Sequence, residues 1–120
     1  KKFLLTLVFF LSFAAISRSD PPAGYTYDSY YFVVKNWQGQ FITGATVSIS
    51  DMSWVDMNAS LLTSDAQGNI TIRFIVPSDP DVLPPSFNGI QVTFSATGYQ
   101  DAVYYLDSHR IISIIMESSL

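Results

Sequence analysis

Strict alternation of apolar and polar residues is the feature that most constrains how this chain can fold. It runs without a break through Gly44–Ser50 and again through Ile90–Ala96. A period of two puts alternate side chains on opposite faces of a β-strand, so one face is buried and the other meets water. With the apolar run Ile70–Ile75, these segments give the three clearest strands. Their predicted core residues are Val47, Ile49, Ile72, Phe74, Val92 and Phe94.

Further strands follow from residue type and from regularly spaced turns. Aromatic and β-branched residues predict a strand at Ser29–Lys35. Shorter apolar runs between turn signals predict strands at Leu61–Asp65, Ala102–Leu106 and Ile111–Met116. Four of the six prolines fall in Val76–Asn88, which predicts a surface loop because proline lacks a backbone donor. About seven short strands, with no run typical of an amphipathic helix, predict an all-β fold: an antiparallel β-sandwich.

The amino-terminal residues have the three-part layout of a secretory signal peptide. Lys1-Lys2 is a positive start, Phe3–Ile16 is apolar, and Ser17-Arg18-Ser19 supplies small residues for cleavage after Ser19. The apolar run is short for a membrane span, which needs about 20 residues, and an uncleaved anchor is the alternative. We therefore expect a secreted protein, extracellular or at the cell surface. The predicted division is a signal peptide at 1–19, an extended leader at 20–28 and a β-sandwich domain at 29–120.

Charge and cysteine content narrow the classes of partner and chemistry. Loss of residues 1–19 removes three of the six basic residues and none of the ten acidic ones, so the net charge falls from −4 to −7. Nucleic acid and anionic membranes require a basic surface, and the acidic balance argues against both as partners. The chain has no cysteine, which excludes thiol catalysis, zinc–thiolate sites and disulfides.

Three local motifs occur in order along the chain, at Gly39–Val47, Thr63–Ile72 and Val92–Tyr99. Together they resemble the carboxypeptidase regulatory-like domains, in which a glycine turn and "GA-V" strand, a "T-D-x-x-G" hairpin and a strand ending in "GY" follow one another. The resemblance covers Ser29 to about Met116. It implies an Ig-like, transthyretin-like (prealbumin-like) β-sandwich and a module without catalytic activity.

The hairpin motif also has a local physical explanation. Asp65 can accept hydrogen bonds from the backbone of its own turn, and Gly68 can take the positive φ that closes the turn. We therefore predict a positive φ at Gly68.

Residues suited to catalysis are few. The single histidine, His109, lies in a polar predicted turn, and a catalytic histidine needs a nucleophile and an orienting acid nearby. Phosphate-binding, zinc-protease and serine-hydrolase motifs are missing. The aspartates fall in predicted turns without EF-hand spacing, so turn capping explains most of them and a structural calcium ion is the alternative. We predict a non-enzymatic protein with no cofactor or metal site.

Two asparagines and one tryptophan are candidate surface sites. Asn58 and Asn69 stand in glycosylation sequons of a chain predicted to be secreted. Both tryptophans fall in predicted loops, where we expect Trp37 to pack on the domain and Trp54 to contact a sugar or a protein.

The closing strand Ile111–Met116 suggests how the protein meets a partner. Five of its six residues are apolar, and it has neither the charge nor the proline that usually protects an exposed sheet edge. We expect it to be central in its sheet, or covered by another copy, by the leader or by residues 1–19, with Ile112 and Ile114 in contact with the partner.

Two functions are consistent with these observations. The first is a secreted interaction or structural module, a subunit of an extracellular or cell-surface fibre or adhesion assembly that binds itself or another protein. The second is an accessory carbohydrate-binding module that binds a glycan with Trp54 and neighbouring aspartates.

Overall fold

The computed structural model describes residues 20–120 as an all-β structure of two three-stranded sheets. The strand order is β3-β1-β6 in the first sheet and β2-β4-β5 in the second. The predicted signal peptide lies outside the described residues. Within residues 20–120, no helix is long and apolar enough to cross a membrane. The strands are β1 (Tyr25–Asn36), β2 (Thr46–Ile49), β3 (Asn69–Pro77), β4 (Gln91–Ser95), β5 (Ala102–Tyr105) and β6 (Ile111–Met116).

The two sheets pack face to face around one apolar core. The ring of Phe32 on β1 lies 5.1 Å from the ring of Phe94 on β4, measured between centroids, so aromatic side chains join the sheets directly. Five of the six predicted core residues are buried, and that part of the prediction is confirmed. Val47 is only partly buried, because β2 is the outermost strand of its sheet. The confirmed core residues are Ile49, Ile72, Phe74, Val92 and Phe94.

The first strand begins earlier than predicted. Residues 25–28, expected to belong to the leader, pair antiparallel with residues 74–77 of β3. The hydroxyl of Tyr27 donates a hydrogen bond to Asp56 across 2.9 Å, which anchors this extension. β6 pairs instead with residues 31–36, on the other side of β1. The expectation that the leader covers the closing strand is therefore wrong.

The pairing of β1 with β6 is parallel, so the prediction of purely antiparallel sheets is wrong at this pair. The register runs from Tyr31 opposite Ile111 to Asn36 opposite Met116. The connection between β5 and β6 crosses from the second sheet to the first. β6 then starts beside Tyr31 and runs in the same direction as β1. The three other strand pairs in the described residues are antiparallel.

The segment predicted as a strand at Leu61–Asp65 forms only isolated bridges, so residues 20–120 contain six strands rather than about seven. Leu61 bridges to Thr71 on β3, whereas Thr63 bridges to Thr46 on β2. Two residues that pair with different sheets cannot continue one ladder, and the segment spans the side of the sandwich instead.

Hydrogen bonds of the Ser64 side chain hold this segment in place. Its buried hydroxyl donates a hydrogen bond to the carbonyl of Ile42 at 2.6 Å and accepts one from the amide of Ala45 at 2.8 Å. Replacing Ser64 by alanine should lower the free energy of unfolding by about 1–3 kcal/mol, because both backbone groups would lose a buried partner. Urea titration measures the loss. The exposed control Ser86→Ala should stay within about 0.5 kcal/mol of the wild type, and equal effects of the two changes would contradict this role.

Aspartates cap the turns between strands, as the sequence predicted. At Asp65, the side chain accepts hydrogen bonds from the amides of Gln67 and Asn69, both at 2.9 Å. Four other aspartates accept a hydrogen bond from the amide two residues later, and their carboxylates thus stabilise the turns in which they lie. These four are Asp51, Asp56, Asp79 and Asp107.

Candidate functional site

The outer edge of β3 is covered by the connection that follows β2. Backbone hydrogen bonds join this connection to alternate residues along the strand, so the outward peptide groups of β3 already have partners. Another strand could add here only by displacing these bonds. The bonds run from the amide of Asp56 to the carbonyl of Arg73 at 2.8 Å, from Ile75 to Trp54 at 2.7 Å, and both ways between Leu61 and Thr71 at 2.8 and 2.9 Å.

The outer edge of β2 is protected only where the strand begins. The amide of Gly44 donates to the carbonyl of Ser64 at 2.9 Å, and the amide of Ser64 donates to Ala45 at 2.8 Å. The bridge between Thr46 and Thr63 continues this cover onto the strand. The chain itself therefore covers the outer edge of β3 and the start of the outer edge of β2.

The outer edge of β6 has no such cover within residues 20–120. Its parallel ladder with β1 begins at the amide of Tyr31, which donates to the carbonyl of Arg110 at 2.7 Å. Because a parallel ladder bonds alternate residues, the peptide groups of Ile111, Ser113 and Ile115 point away from β1. No backbone partner outside the ladder approaches these three residues in the described part of the chain. β6 is thus an edge strand and not central in its sheet.

The side chains of β6 alternate between the core and the surface. Ile112 and Ile114, the predicted partner contacts, are buried in the core. Ile111 is 81% exposed and Ile115 is half exposed. The sequence could not distinguish these two sets, because both are isoleucine. The apolar side chains that β6 presents to a partner are therefore Ile111 and Ile115.

β5 contacts β6 across the two sheets, and within residues 20–120 no backbone hydrogen bond from outside the sheet covers the outer edge of β5. Val103 and Tyr105 are exposed on this strand. A backbone hydrogen bond joins the two strands' ends at one end of this surface, where the amide of Gln100 donates to the carbonyl of Glu117 at 2.8 Å. We call the surface formed by β5 and β6 the open side.

Arg110 fixes where β6 begins. Its guanidinium forms two hydrogen bonds with the carboxylate of Asp28, at 2.8 and 3.1 Å, and lies 4.2 Å from the ring centroid of Tyr30. The hydrogen bond to Asp28 is the main reason that the pKa of Arg110 is raised above its usual value. Both partners lie on β1, so this contact between residues distant in sequence sets the start of the parallel register.

The turn before β6 is organised by Asp107. Its carboxylate accepts hydrogen bonds from the amide of His109 at 2.9 Å and from the hydroxyl of Tyr104 at 2.8 Å, and both lower the pKa of Asp107. Burial, and then the bond to Asp107, raises the pKa of Tyr104 to about 12. At neutral pH the carboxylate is therefore charged and the phenol neutral. His109 is exposed in this turn, as its surroundings in the sequence predicted.

A groove of about 720 Å³ lies at one end of the sandwich, next to the turn after β1. A second groove, of about 390 Å³, shares Trp37 and Glu117 with the first and continues past Asp101 to Ile115. Trp37 is 80% exposed, so the expectation that it packs on the domain is wrong. Asn36 is the reason, because its side chain holds the turn so that Trp37 lies at the tip.

The other predicted surface residues are distributed over the molecule. Trp54 is 38% exposed, and its carbonyl belongs to the cover of β3; it lines neither groove. Asn58 is exposed in the connection after β2, and Asn69 is exposed at the first residue of β3. Glycosylation of the two asparagines stays a prediction.

Metal ligands do not cluster in the described part of the chain: residues 20–120 contain no group of three or more histidine, aspartate or glutamate side chains that could hold an ion.

A scan against protein-family models and a search of curated proteins both find no match for this sequence. The family resemblance therefore rests on the three motifs alone.

Proposed function

We propose that this protein is a secreted, non-enzymatic interaction module, a subunit of an extracellular assembly that forms when a β-strand adds to the edge of β6. The observation that carries the proposal is the contrast among sheet edges. The edge of β3 and the start of the edge of β2 are covered by the chain's own hydrogen bonds, while within residues 20–120 the edge of β6 has peptide groups without a backbone partner and exposed isoleucines. Main-chain hydrogen bonds give strand addition its affinity, and side chains give it selectivity.

A second copy of the chain is the proposed partner. Neither β5 nor β6 contains a charged residue, although residues 20–120 together carry a formal charge of −7. Two copies that meet through the open side would therefore bring apolar strands together without opposing like charges. Ile111, exposed on β6, would be covered in such a contact.

The family resemblance agrees with this proposal. Two three-stranded sheets around a common core are the coarse form of the transthyretin-like sandwich that the motifs imply. A module of this type contributes surfaces rather than catalytic groups. The proposed function therefore needs no cofactor and no metal ion.

Self-association should depend on the exposed face of β6. We expect residues 20–120 to sediment as larger species as concentration rises, and the variant Ile111→Lys to remain a monomer, because a lysine on an edge strand opposes pairing. Ile111 is suited to this test because its side chain is exposed, whereas lysine at the buried Ile114 would disrupt the core. Analytical ultracentrifugation gives the readout.

The matched control is Leu83→Lys, which adds the same charge at an almost fully exposed leucine in the loop between β3 and β4. This variant should associate like the wild type. A wild type that stays monomeric at all concentrations would exclude self-assembly. Equal loss of self-association in both variants would show that the added positive charge, and not its place on the edge of β6, prevents association.

A further inference from the structure

We propose that the two grooves on either side of Trp37 form a binding site for a neutral oligosaccharide. The site is centred on Trp37 and adjoins the open side, because Ala102 of β5 and Ile115 of β6 line its second groove. Large apolar side chains are exposed elsewhere on the surface, but the grooves flank this indole on both sides and are lined with polar groups. Such a combination is typical of a site in which one aromatic ring anchors the ligand and polar groups orient it.

The turn that carries Trp37 is held in place before any ligand arrives. The side-chain oxygen of Asn36 accepts hydrogen bonds from the amides of Gln38 and Gln40, both at 3.0 Å. The side-chain amide of Asn36 donates to that of Gln40 at 2.9 Å, and the amide of Gly39 closes the turn on the carbonyl of Asn36 at 3.0 Å. A preorganised turn spares the ligand the entropic cost of ordering the backbone that carries Trp37.

The shape of the site fits a chain of sugars. The grooves, of about 720 and 390 Å³, each lie within the usual range of roughly 300–1,000 Å³ for ligand sites. Since Trp37 and Glu117 line both, a ligand can pass over the indole from one groove into the other. A pyranose presents a face of C–H groups to an aromatic ring and a rim of hydroxyls to polar neighbours. If one sugar unit stacks on Trp37, the sugar units before and after it would lie in the two grooves.

The polar groups of the grooves select for a neutral ligand. Glu117 and Asp101 supply carboxylates that accept hydrogen bonds from hydroxyls, while Gln38 and Gln100 supply amides that donate and accept. Among residues 20–120, no lysine or arginine lines either groove, so an acidic sugar or a phosphate would meet carboxylates without a counter-charge. The site would bind a cationic ligand less well, because an aromatic cage needs several rings around the cation and Trp37 is a single exposed indole.

The test uses a panel of neutral hexasaccharides built from glucose, xylose, mannose or N-acetylglucosamine. The chain has two tryptophans, so the variant Trp54→Phe leaves Trp37 as the only fluorescent indole. Titration of this variant with at least one of the sugars should shift the Trp37 emission to shorter wavelength. Trp37→Ala in the wild-type background should weaken binding at least about tenfold by calorimetry, the effect expected from removing one aromatic anchor.

Two controls separate binding from folding and from charge. Trp37→Phe keeps a ring, and it should retain more affinity than Trp37→Ala; both should unfold at the wild-type urea concentration because the side chain is exposed. Binding of a neutral sugar should change less than about twofold between 0.1 and 1 M salt, since no ion pair is formed.

Absence of binding to every member of the panel at millimolar concentration would overturn the proposal, as would unchanged affinity in Trp37→Ala. Tighter binding of a lysine-rich peptide, weakened by salt and by Glu117→Gln, would assign the site to a cationic partner instead. Because Ile111 lines neither groove, Ile111→Lys should bind the sugar normally. Failure of the assembly and failure of this site are therefore distinguishable.

Discussion

Replacing Gly68 by alanine is expected to lower the free energy of unfolding by about 3 kcal/mol or more. The residue has a φ of +72°, a conformation that costs an L-amino acid roughly 1–2 kcal/mol. A Cβ atom at this position would also lie 2.5 Å from the carbonyl oxygen of Val34. That oxygen accepts a hydrogen bond from Ile42, and the amide of Val34 donates to Gly68 itself, so the backbone cannot move aside without losing bonds.

Gly89→Ala is the matched control for this prediction. Gly89 has a φ of +87°, but a Cβ atom there would meet nothing within 4 Å. This change should therefore cost only the conformational strain, about 1–2 kcal/mol. Denaturant titration of both variants isolates the effect of the contact with β1. Equal losses would show that close approach of the hairpin to Val34 contributes nothing to stability.

Truncation of Phe94 to alanine should remove about 3–5 kcal/mol of stability, enough to unfold a marginal domain. Phe94 is fully buried, and its ring packs against Phe32 of the opposite sheet at a centroid distance of 5.1 Å. Phe32 also contacts Tyr104 at 5.9 Å, so the cavity would open at the junction of three strands. The rigid sheets on either side limit how far this cavity can collapse.

Phe41→Ala makes the same chemical change at a half-exposed position and serves as the control. It should cost about 1 kcal/mol or less. Thermal or urea unfolding, with unchanged m-values, provides the comparison. A loss below about 1 kcal/mol for Phe94→Ala would mean that the two sheets do not pack through this residue in solution.

Strand periodicity and turn chemistry were readable from the sequence because both depend on residues close together in the chain. The alternation through Val92 and Phe94 predicted which face of β4 is buried, since successive side chains must point to opposite faces. Gly68 was likewise predicted to have a positive φ from its position after Asp65. The same local reasoning located the aspartates that cap turns.

Site residues were harder to predict, because exposure depends on what the rest of the molecule covers. Trp37 and Trp54 both fall in irregular sequence, and the sequence favoured Trp54 as the contact residue. In the fold, the backbone of Trp54 is drawn against β3, whereas Asn36 places Trp37 between two grooves. The one local signal for Trp37 is the residue before it, because an asparagine such as Asn36 accepts hydrogen bonds from the amides of its own turn and so places the next side chain at the tip.

The sequence by itself determined that this chain forms short strands with one buried face, joined by aspartate and glycine turns. The tertiary structure alone decided that β6 runs parallel to β1 as the outermost strand of its sheet and that Ile111, rather than Ile112, faces outward. The physical reason is the range of the interactions. Pleating and turns are governed by neighbours along the chain, whereas the register of β6 depends on contacts such as Arg110 with Asp28, 82 residues apart.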